Sequence, residues 1–147
     1  MSTWLLVADG FHGRLFVVDK EANVLVEIMD YLNPQGRLPE KELTSDNPGR
    51  TFDSKGQGRH IVQENKVKKE QAKEQFAHKL AKYLNDKQKE KQFNRLIIVA
   101  PSKFMGYINK KINCDCTITK IVKDMTSISS TEIFDSLRDD LLAHKII

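Results

Sequence analysis

The apolar run "RLIIVA" at residues 95–100 constrains the fold more than any other stretch of the chain. Polar residues flank it, and no charged side chain follows Arg95 within it. A strand with one solvated face alternates apolar and polar residues, whereas a strand buried on both faces is a nearly continuous apolar run. The run therefore predicts the central strand of a sheet that helices cover.

The segments on either side of this run predict the order of the other elements. Three β-rich segments joined by short polar turns come first, as in an antiparallel meander. Strand and helix then alternate, which favours a mixed sheet with helices packed on it. The order β-β-β-α-β-α-β-α predicts an α/β protein with a ribonuclease H-like fold. The predicted elements are strands near 3–8, 13–19 and 23–31, a helix at 66–91, the strand at 95–100, a helix at about 102–112, a strand in "CTITKIV" and a last helix that follows 126–130.

Length and composition are typical of one soluble domain. The chain has 147 residues, so residues 1–147 are predicted to form a single domain with its own core. No apolar run approaches the roughly 20 residues that a membrane helix needs. The N-terminal "MSTWLLVADG" lacks the basic segment of a signal peptide, so we expect a cytoplasmic protein. Cys114 and Cys116 are expected to be reduced, and no Cys/His set is spaced for zinc, so no cofactor is predicted.

The positive charge of the chain is concentrated in the predicted helix at 66–91. This segment has nine lysines and four acidic residues, a net charge of +5, whereas the whole chain has +4 and the remainder sums to −1. A basic helix face can follow the phosphates of a nucleic acid. It can equally be a solvated surface that keeps the protein soluble. The sequence leaves both interpretations open.

A long polar stretch at about 32–65 precedes this helix and is predicted to be a loop. It contains three of the four prolines and four of the seven glycines, and it has no apolar periodicity. Such long loops are often functional or disordered. Its segment "RTFDSKGQGRH" could hold an anion, because arginine binds phosphate in bidentate fashion and glycine lets the backbone approach a ligand closely. A loop stabilised only by its own Asp–Arg pairs is the other interpretation.

Candidates for catalytic and metal-binding residues are few. Asp9 ends the first predicted strand, where nucleases of ribonuclease H-like fold place a metal-binding carboxylate, but the central strand supplies no second acid. Asp9-Gly10 is also a simple turn signal. His60 and Asp53 are the candidates for an acid–base pair. Whether the protein is an enzyme stays open, with a non-enzymatic binding function favoured.

Four segments of the chain, taken together, match a known family. They are "WLLVADGFHGRLF", "NPQGRLPEKELTSDNPGRTFDSKGQGRH", "RLIIVAPSKFMGYI" and "IVKDMTSIS". In these segments the chain resembles a bacterial family of host attachment proteins, described as required for attachment to host cells. The resemblance covers essentially the whole chain, and the segment in the middle of the chain is its most specific part.

The resemblance implies a relationship to the middle domain of archaeal and eukaryotic peptide release factors, whose α/β core agrees with the predicted element order. In release factors, a Gly-Gly-Gln loop enters the peptidyl-transferase centre and helps to hydrolyse peptidyl-tRNA. The matching region here is Gly56-Gln57-Gly58, in a different order, so peptide release is not expected. Binding to the ribosome or to structured RNA is expected instead.

We therefore expect a cytoplasmic, RNA- or ribosome-associated protein that binds through the polar loop 37–60 and the basic helix 66–91 and affects attachment indirectly. Two alternatives stay open. One is a hydrolase or nuclease that acts on RNA or an aminoacyl ester through His60 and Asp53, and the other is a homo-oligomeric interaction module such as a homodimer. A membrane partner is not expected. The predicted binding residues are Arg37, Asp46, Arg50, Asp53, Ser54, Gly56, Gly58, Arg59 and His60.

Overall fold

The computed structural model describes residues 2–37 and 55–147, and the side chains of residues 2–35 and 63–147. These ranges contain five strands, three α-helices and one 3-10 helix, which confirms the predicted mixed α/β class and element order. The strands are β1 (Thr3–Ala8), β2 (His12–Asp19), β3 (Val24–Leu32), β4 (Arg95–Ala100) and β5 (Thr117–Val122). The α-helices are α1 (Lys55–Lys89), α2 (Ser102–Asn109) and α3 (Ser130–Ala143), and Pro34–Arg37 forms the 3-10 helix.

The five strands form one mixed sheet in the order β3-β2-β1-β4-β5. β1, β4 and β5 are parallel, and β2 runs antiparallel to both of its neighbours. All residues of β1, and all residues of β4 after Arg95, are buried. The continuous apolar run therefore forms an inner strand covered on both faces, as its composition predicted.

Helices pack on both faces of the sheet and bury alternate strand residues. Leu6 and Ile98 point to the face that α1 and α2 cover, where they join Phe76 of α1 in one apolar cluster. Leu5 and Ile97 point to the opposite face, where α3 lies with its own buried stripe. Within the described ranges, no helix is both long and apolar enough to cross a membrane.

Helix α1 is longer than the sequence predicted. It begins at Lys55, so the predicted loop at 32–65 is wrong for residues 55–65. The prediction relied on apolar periodicity, and Ala72 is the first buried side chain in the described part of the helix. The residues before Ala72 are rich in lysine, glutamine and glutamate, which have high helix propensity without forming an apolar stripe.

The early start of α1 changes the interpretation of three predicted features. Asn65, which directly precedes the predicted helix at 66–91, lies inside the helix. Gly56 and Gly58 lie in the first turn of the helix and not in a tight turn of a loop. A glycine lowers helix stability most in the middle of a helix, so this position tolerates both. Of the predicted loop, residues 38–54 lie outside the described part of the chain.

Candidate functional site

The carboxyl ends of three parallel strands, β1, β4 and β5, meet at one edge of the sheet. In open α/β sheets, ligands bind outside this edge at the point where the connections diverge. That point lies between β1 and β4, because β1 is followed by β2 on one side and β4 is followed by α2 and β5 on the other. The residues at this edge are therefore the candidates for a functional site.

Asp9 follows β1 and fixes the turn into β2. Its side chain is buried, with 8% of its surface exposed. One carboxylate oxygen, Oδ1, accepts hydrogen bonds from the backbone N–H groups of Phe11 (2.8 Å) and His12 (2.9 Å). The other, Oδ2, accepts from the hydroxyl of Thr126 at 2.7 Å, which connects the turn to the segment between β5 and α3. Both carboxylate oxygens thus have donors within the fold.

The ring of Phe11, held out by this turn, lies against two lysines of α1. The ammonium nitrogen of Lys73 is 5.0 Å from the ring centroid, and that of Lys69 is 5.8 Å from it. An ammonium group within about 6 Å of an aromatic ring is attracted by the electrons of its face. The turn and the helix therefore form a surface on which an aromatic ring and two cations lie side by side.

Asn33, which follows β3, fixes the turn against the helix. Its side-chain amide donates to the carbonyl oxygen of Gly10 at 3.0 Å and to that of Ala72 at 3.3 Å. Its backbone N–H donates to the carbonyl oxygen of Phe11 at 2.7 Å. One side chain thus acts as the donor to backbone carbonyls from two distant segments. These bonds hold Phe11 beside the lysines of α1.

Glu70 links α1 to α2 beside this surface. It accepts a hydrogen bond from the hydroxyl of Tyr107 at 2.7 Å, and it pairs with Lys103 at 3.2 Å and Lys73 at 3.4 Å. The hydrogen bond from Tyr107 is the main reason that the pKa of Glu70 lies below its ordinary value. The same bond raises the pKa of Tyr107 to about 12. Glu70 is therefore ionised at neutral pH and binds two of the nearby lysines.

Two further lysines, Lys66 and Lys68, extend the surface along α1. Lys66 and Lys68 are exposed, and no acid in the described part of the chain lies within ion-pair distance of either. Lys68 lies one helical turn before Ala72 and therefore on the side of α1 that faces the sheet. We call this set of side chains the edge surface. It consists of Phe11, Lys66, Lys68, Lys69, Lys73 and Lys103.

The helix continues beyond the edge surface. Eleven residues of α1, 55–65, precede Lys66, and they correspond to about 16 Å of helix axis. Helix α1 as a whole has ten basic and four acidic residues, a net charge of +6, whereas the full chain carries +4. The rest of the protein is thus net acidic, and α1 dominates its positive field.

The structure places only some of the predicted binding residues. Gly56, Gly58, Arg59 and His60 share the first two turns of α1, and Arg37 ends the 3-10 helix. Four other predicted binding residues, one of which also belongs to the predicted His60–Asp53 acid–base pair, lie outside the described residues. They are Asp46, Arg50, Asp53 and Ser54.

Sequence reasoning missed Phe11, Asn33 and Tyr107, although it counted the lysines of α1. A local signal existed for Phe11, which is a large apolar residue directly after the Asp9-Gly10 turn. No such signal existed for Asn33 or Tyr107, because their partners are distant in sequence and depend on how the helices pack.

The described side chains include no obvious nucleophile or metal centre. No group of three His, Cys, Asp or Glu residues within these ranges is arranged to hold a metal ion. Cys114 and Cys116 are free thiols, and burial raises the pKa of Cys114 to about 12. A thiol of such high pKa is protonated at neutral pH and is a poor nucleophile. Lysine ammonium groups beside an aromatic ring are groups that can bind an anion with aromatic parts.

These features define a small mixed α/β protein with a basic, partly aromatic surface at the carboxyl edge of its sheet. The chain belongs to the family described as "Protein required for attachment to host cells", whose sequence model matches residues 4–137, from β1 into α3. This match confirms the family expected from the sequence. A comparison with curated proteins found no match.

Proposed function

We propose that the protein binds RNA, free or within the ribosome, through the edge surface and the N-terminal part of α1. The observation that carries the proposal is that the ammonium groups of Lys69 and Lys73 lie 5.8 and 5.0 Å from the ring centroid of Phe11. Proteins that bind single-stranded nucleic acids combine a positively charged groove with aromatic rings on which bases stack. In the edge surface, the ring of Phe11 lies beside two lysines that are about one turn apart on α1.

Charge supports the same assignment. The net charge of +6 on α1 creates a field that attracts polyanions, and lysine acts on phosphate as a point charge without demanding one geometry. Arg59 lies seven residues before Lys66 on the same helix. It is thus about 10 Å further along the axis, where it can extend the row of phosphate contacts.

The test is a salt titration of RNA binding. Fluorescence anisotropy with a labelled, unstructured single-stranded RNA gives the dissociation constant between 50 and 200 mM salt. Each phosphate contact contributes a slope of about 0.7 to the plot of log affinity against log salt. Replacing both Lys69 and Lys73 by glutamine is expected to reduce the slope by about 1.4 and to weaken binding.

A matched double variant, Lys87→Gln with Lys89→Gln, removes the same charge from the opposite end of α1. It is expected to keep most of the wild-type slope. Equal losses in the two double variants would show that only net charge matters, and binding that does not depend on salt would contradict the proposal. Recovery of the protein from lysate with and without ribonuclease, followed by ribosome sedimentation, distinguishes free RNA from ribosomes.

We also propose that the protein acts inside the cytoplasm and affects attachment indirectly. A basic surface suited to RNA supports this location, because RNA is found there in high amount. Fractionation and surface labelling of the native organism test it. Detection of most of the protein at the cell surface would contradict the proposed location. The RNA-binding measurement is independent of this result.

A further inference from the structure

The two outermost strands of the sheet, β3 and β5, differ in how they protect their free sides. At one edge, β5 has six residues, and it carries an exposed lysine, Lys120. Charged residues, lysine above all, are a common device by which proteins prevent other strands from pairing with a sheet edge. At the other edge, β3 has nine residues with neither lysine nor proline. The β3 edge therefore lacks the lysine that protects β5, although it carries two acids, Glu27 and Asp30.

Five of the seven exposed side chains of β3 are apolar or aromatic, and the other two are the acids Glu27 and Asp30. Val24, Val26 and Ile28 have 45%, 48% and 46% of their surfaces exposed. Within residues 2–37 and 55–147, β2 is the only strand that pairs with β3, so no strand among these residues takes up the backbone groups of its outer edge. A long, largely apolar edge of this kind is a template for another strand.

Each of the two acids of β3 has a hydrogen-bond partner on β2 of the same subunit. Glu27 receives two hydrogen bonds from the guanidinium group of Arg14, at 2.8 and 3.1 Å. Asp30 pairs with His12, and both basic residues belong to β2. A second copy of β3 can therefore approach without repulsion between uncompensated carboxylates, which would otherwise disfavour the contact of identical strands.

We propose that two copies of the protein pair through their β3 strands, antiparallel about a two-fold axis near Val26. In this register Val26 faces Val26 of the second copy and Val24 faces Ile28, so these apolar side chains meet one another, while Leu25 faces Glu27. A two-fold contact is closed: it covers both β3 edges and leaves outward only the β5 edges, which carry Lys120. The result is a dimer with one continuous ten-stranded sheet.

The β3 bulge fits this choice of register. The pairing of β2 with β3 shifts between Leu15 and Phe16, where Leu15 faces Met29 and Phe16 faces Glu27, so Ile28 is the extra residue. A bulge bends its strand and interrupts regular pairing. The regular part of β3 before the bulge, residues 24–27, contains Val26. The contact between the two β3 strands is therefore expected to end at Ile28.

The oligomeric state tests the proposal directly. Light scattering coupled to size exclusion is expected to give twice the chain mass of 16.9 kDa. Val26→Lys is expected to raise the dimer dissociation constant at least tenfold, because it opposes two like charges at the axis. Val122→Lys is the matched control at the β5 edge, where Val122 is 61% exposed, and it is expected to leave the dimer intact.

Cross-linking tests the register. Residues that face each other across an antiparallel pair have Cα atoms about 4.5–5.5 Å apart, within the range of a disulfide. Val26→Cys, made with Cys114→Ser and Cys116→Ser, is expected to form a covalent dimer on mild oxidation, whereas Val122→Cys in the same background is not. A monomer at all concentrations, a dimer that survives Val26→Lys with the fold intact by circular dichroism, or open-ended polymers would each overturn the proposal.

Discussion

The side chain of Lys73 crosses directly over Gly10. A β-carbon added at Gly10 would lie 2.6 Å from both Cγ and Cδ of Lys73, closer than such atoms approach one another in proteins. The backbone of Gly10 is not in the left-handed region, so space and not conformation requires the glycine. The absence of a side chain at Gly10 thus lets the Lys73 ammonium reach the ring of Phe11.

Gly10→Ala is therefore expected to displace Lys73 from Phe11. The lysine stem is flexible and can move, so the cost in free energy of unfolding is expected to be about 1 kcal/mol, the lower end for overpacking. If the edge surface binds RNA, this variant also reduces the salt slope by up to about 0.7, the contribution of one phosphate contact. Urea denaturation and RNA anisotropy measure the two effects.

Gly106 of α2 provides the control for this substitution. Nothing lies within 4 Å of a β-carbon added there, and the residue is exposed inside a helix. Gly106→Ala is expected to raise the free energy of unfolding by about 1 kcal/mol, because alanine has the higher helix propensity. RNA binding is expected to stay unchanged. Equal stabilisation by the two substitutions would show that Lys73 does not constrain Gly10.

The contact between Asp9 and Thr126 predicts a coupled effect on stability. Asp9→Ala leaves two backbone N–H groups and one buried hydroxyl without their acceptor, and it is expected to lower the free energy of unfolding by about 3 kcal/mol. Thr126→Val is expected to lower it by about 1–2 kcal/mol. The double variant is expected to lose less than the sum of the two, with a coupling of at least about 0.5 kcal/mol.

Asp19 is the matched control, because its Oδ1 accepts two backbone hydrogen bonds in the turn between β2 and β3. The donors are Glu21 at 3.1 Å and Ala22 at 3.0 Å, and both bonds are exposed to solvent. Water can replace an exposed acceptor, so Asp19→Ala is expected to cost about 1 kcal/mol or less. A similar loss at Asp9 and Asp19 in urea denaturation would mean that burial of Asp9 contributes nothing.

The sequence predicted the sheet well because burial leaves a strong local pattern. Strand β4 is buried on both faces, and a continuous apolar run between helices is typical of such a strand. The first turns of α1 were missed for the opposite reason. They have no described buried side chain, and their sequence shows no apolar periodicity.

The candidate site was predicted only in part, because its contacts join segments that are far apart in the chain. Phe11 meets Lys69 and Lys73 only after α1 has packed across the sheet, and no local motif encodes that distance. Asn33 bridges Gly10 and Ala72 in the same way. The charge of α1 was visible in the composition, whereas the contacts of Phe11 and the hydrogen bonds of Asn33 depended on tertiary structure.

The bond between Tyr107 and Glu70 predicts opposite pH dependences at the two ends of the pH scale. The folded-state pKa of Glu70 is lowered, so its contribution to stability is present above the ordinary value of about 4.3 and is lost as pH falls below it. The folded-state pKa of Tyr107 is raised to about 12, so its contribution is present below about 10 and is lost as pH rises toward 12.

Ultraviolet titration of the tyrosines tests the alkaline part of this prediction, the raised pKa of Tyr107. One of the three tyrosines is expected to ionise late, near pH 12, and Tyr107→Phe is expected to remove that late component. Glu70→Gln is expected to shift it to lower pH, because the acceptor loses its charge. A late component that persists in Tyr107→Phe would assign it to another tyrosine and contradict the proposed bond.

Arg59 tests whether the N-terminal turns of α1 take part in binding. Arg59→Ala is expected to reduce the RNA salt slope by about 0.7 and to leave the free energy of unfolding almost unchanged, because alanine is at least as good a helix former as arginine. Arg138→Ala is the matched control: it removes the same charge from α3, on the opposite face of the sheet. If both variants lower the slope equally, the protein attracts RNA only through its net charge; a selective loss in Arg59→Ala places the RNA along α1.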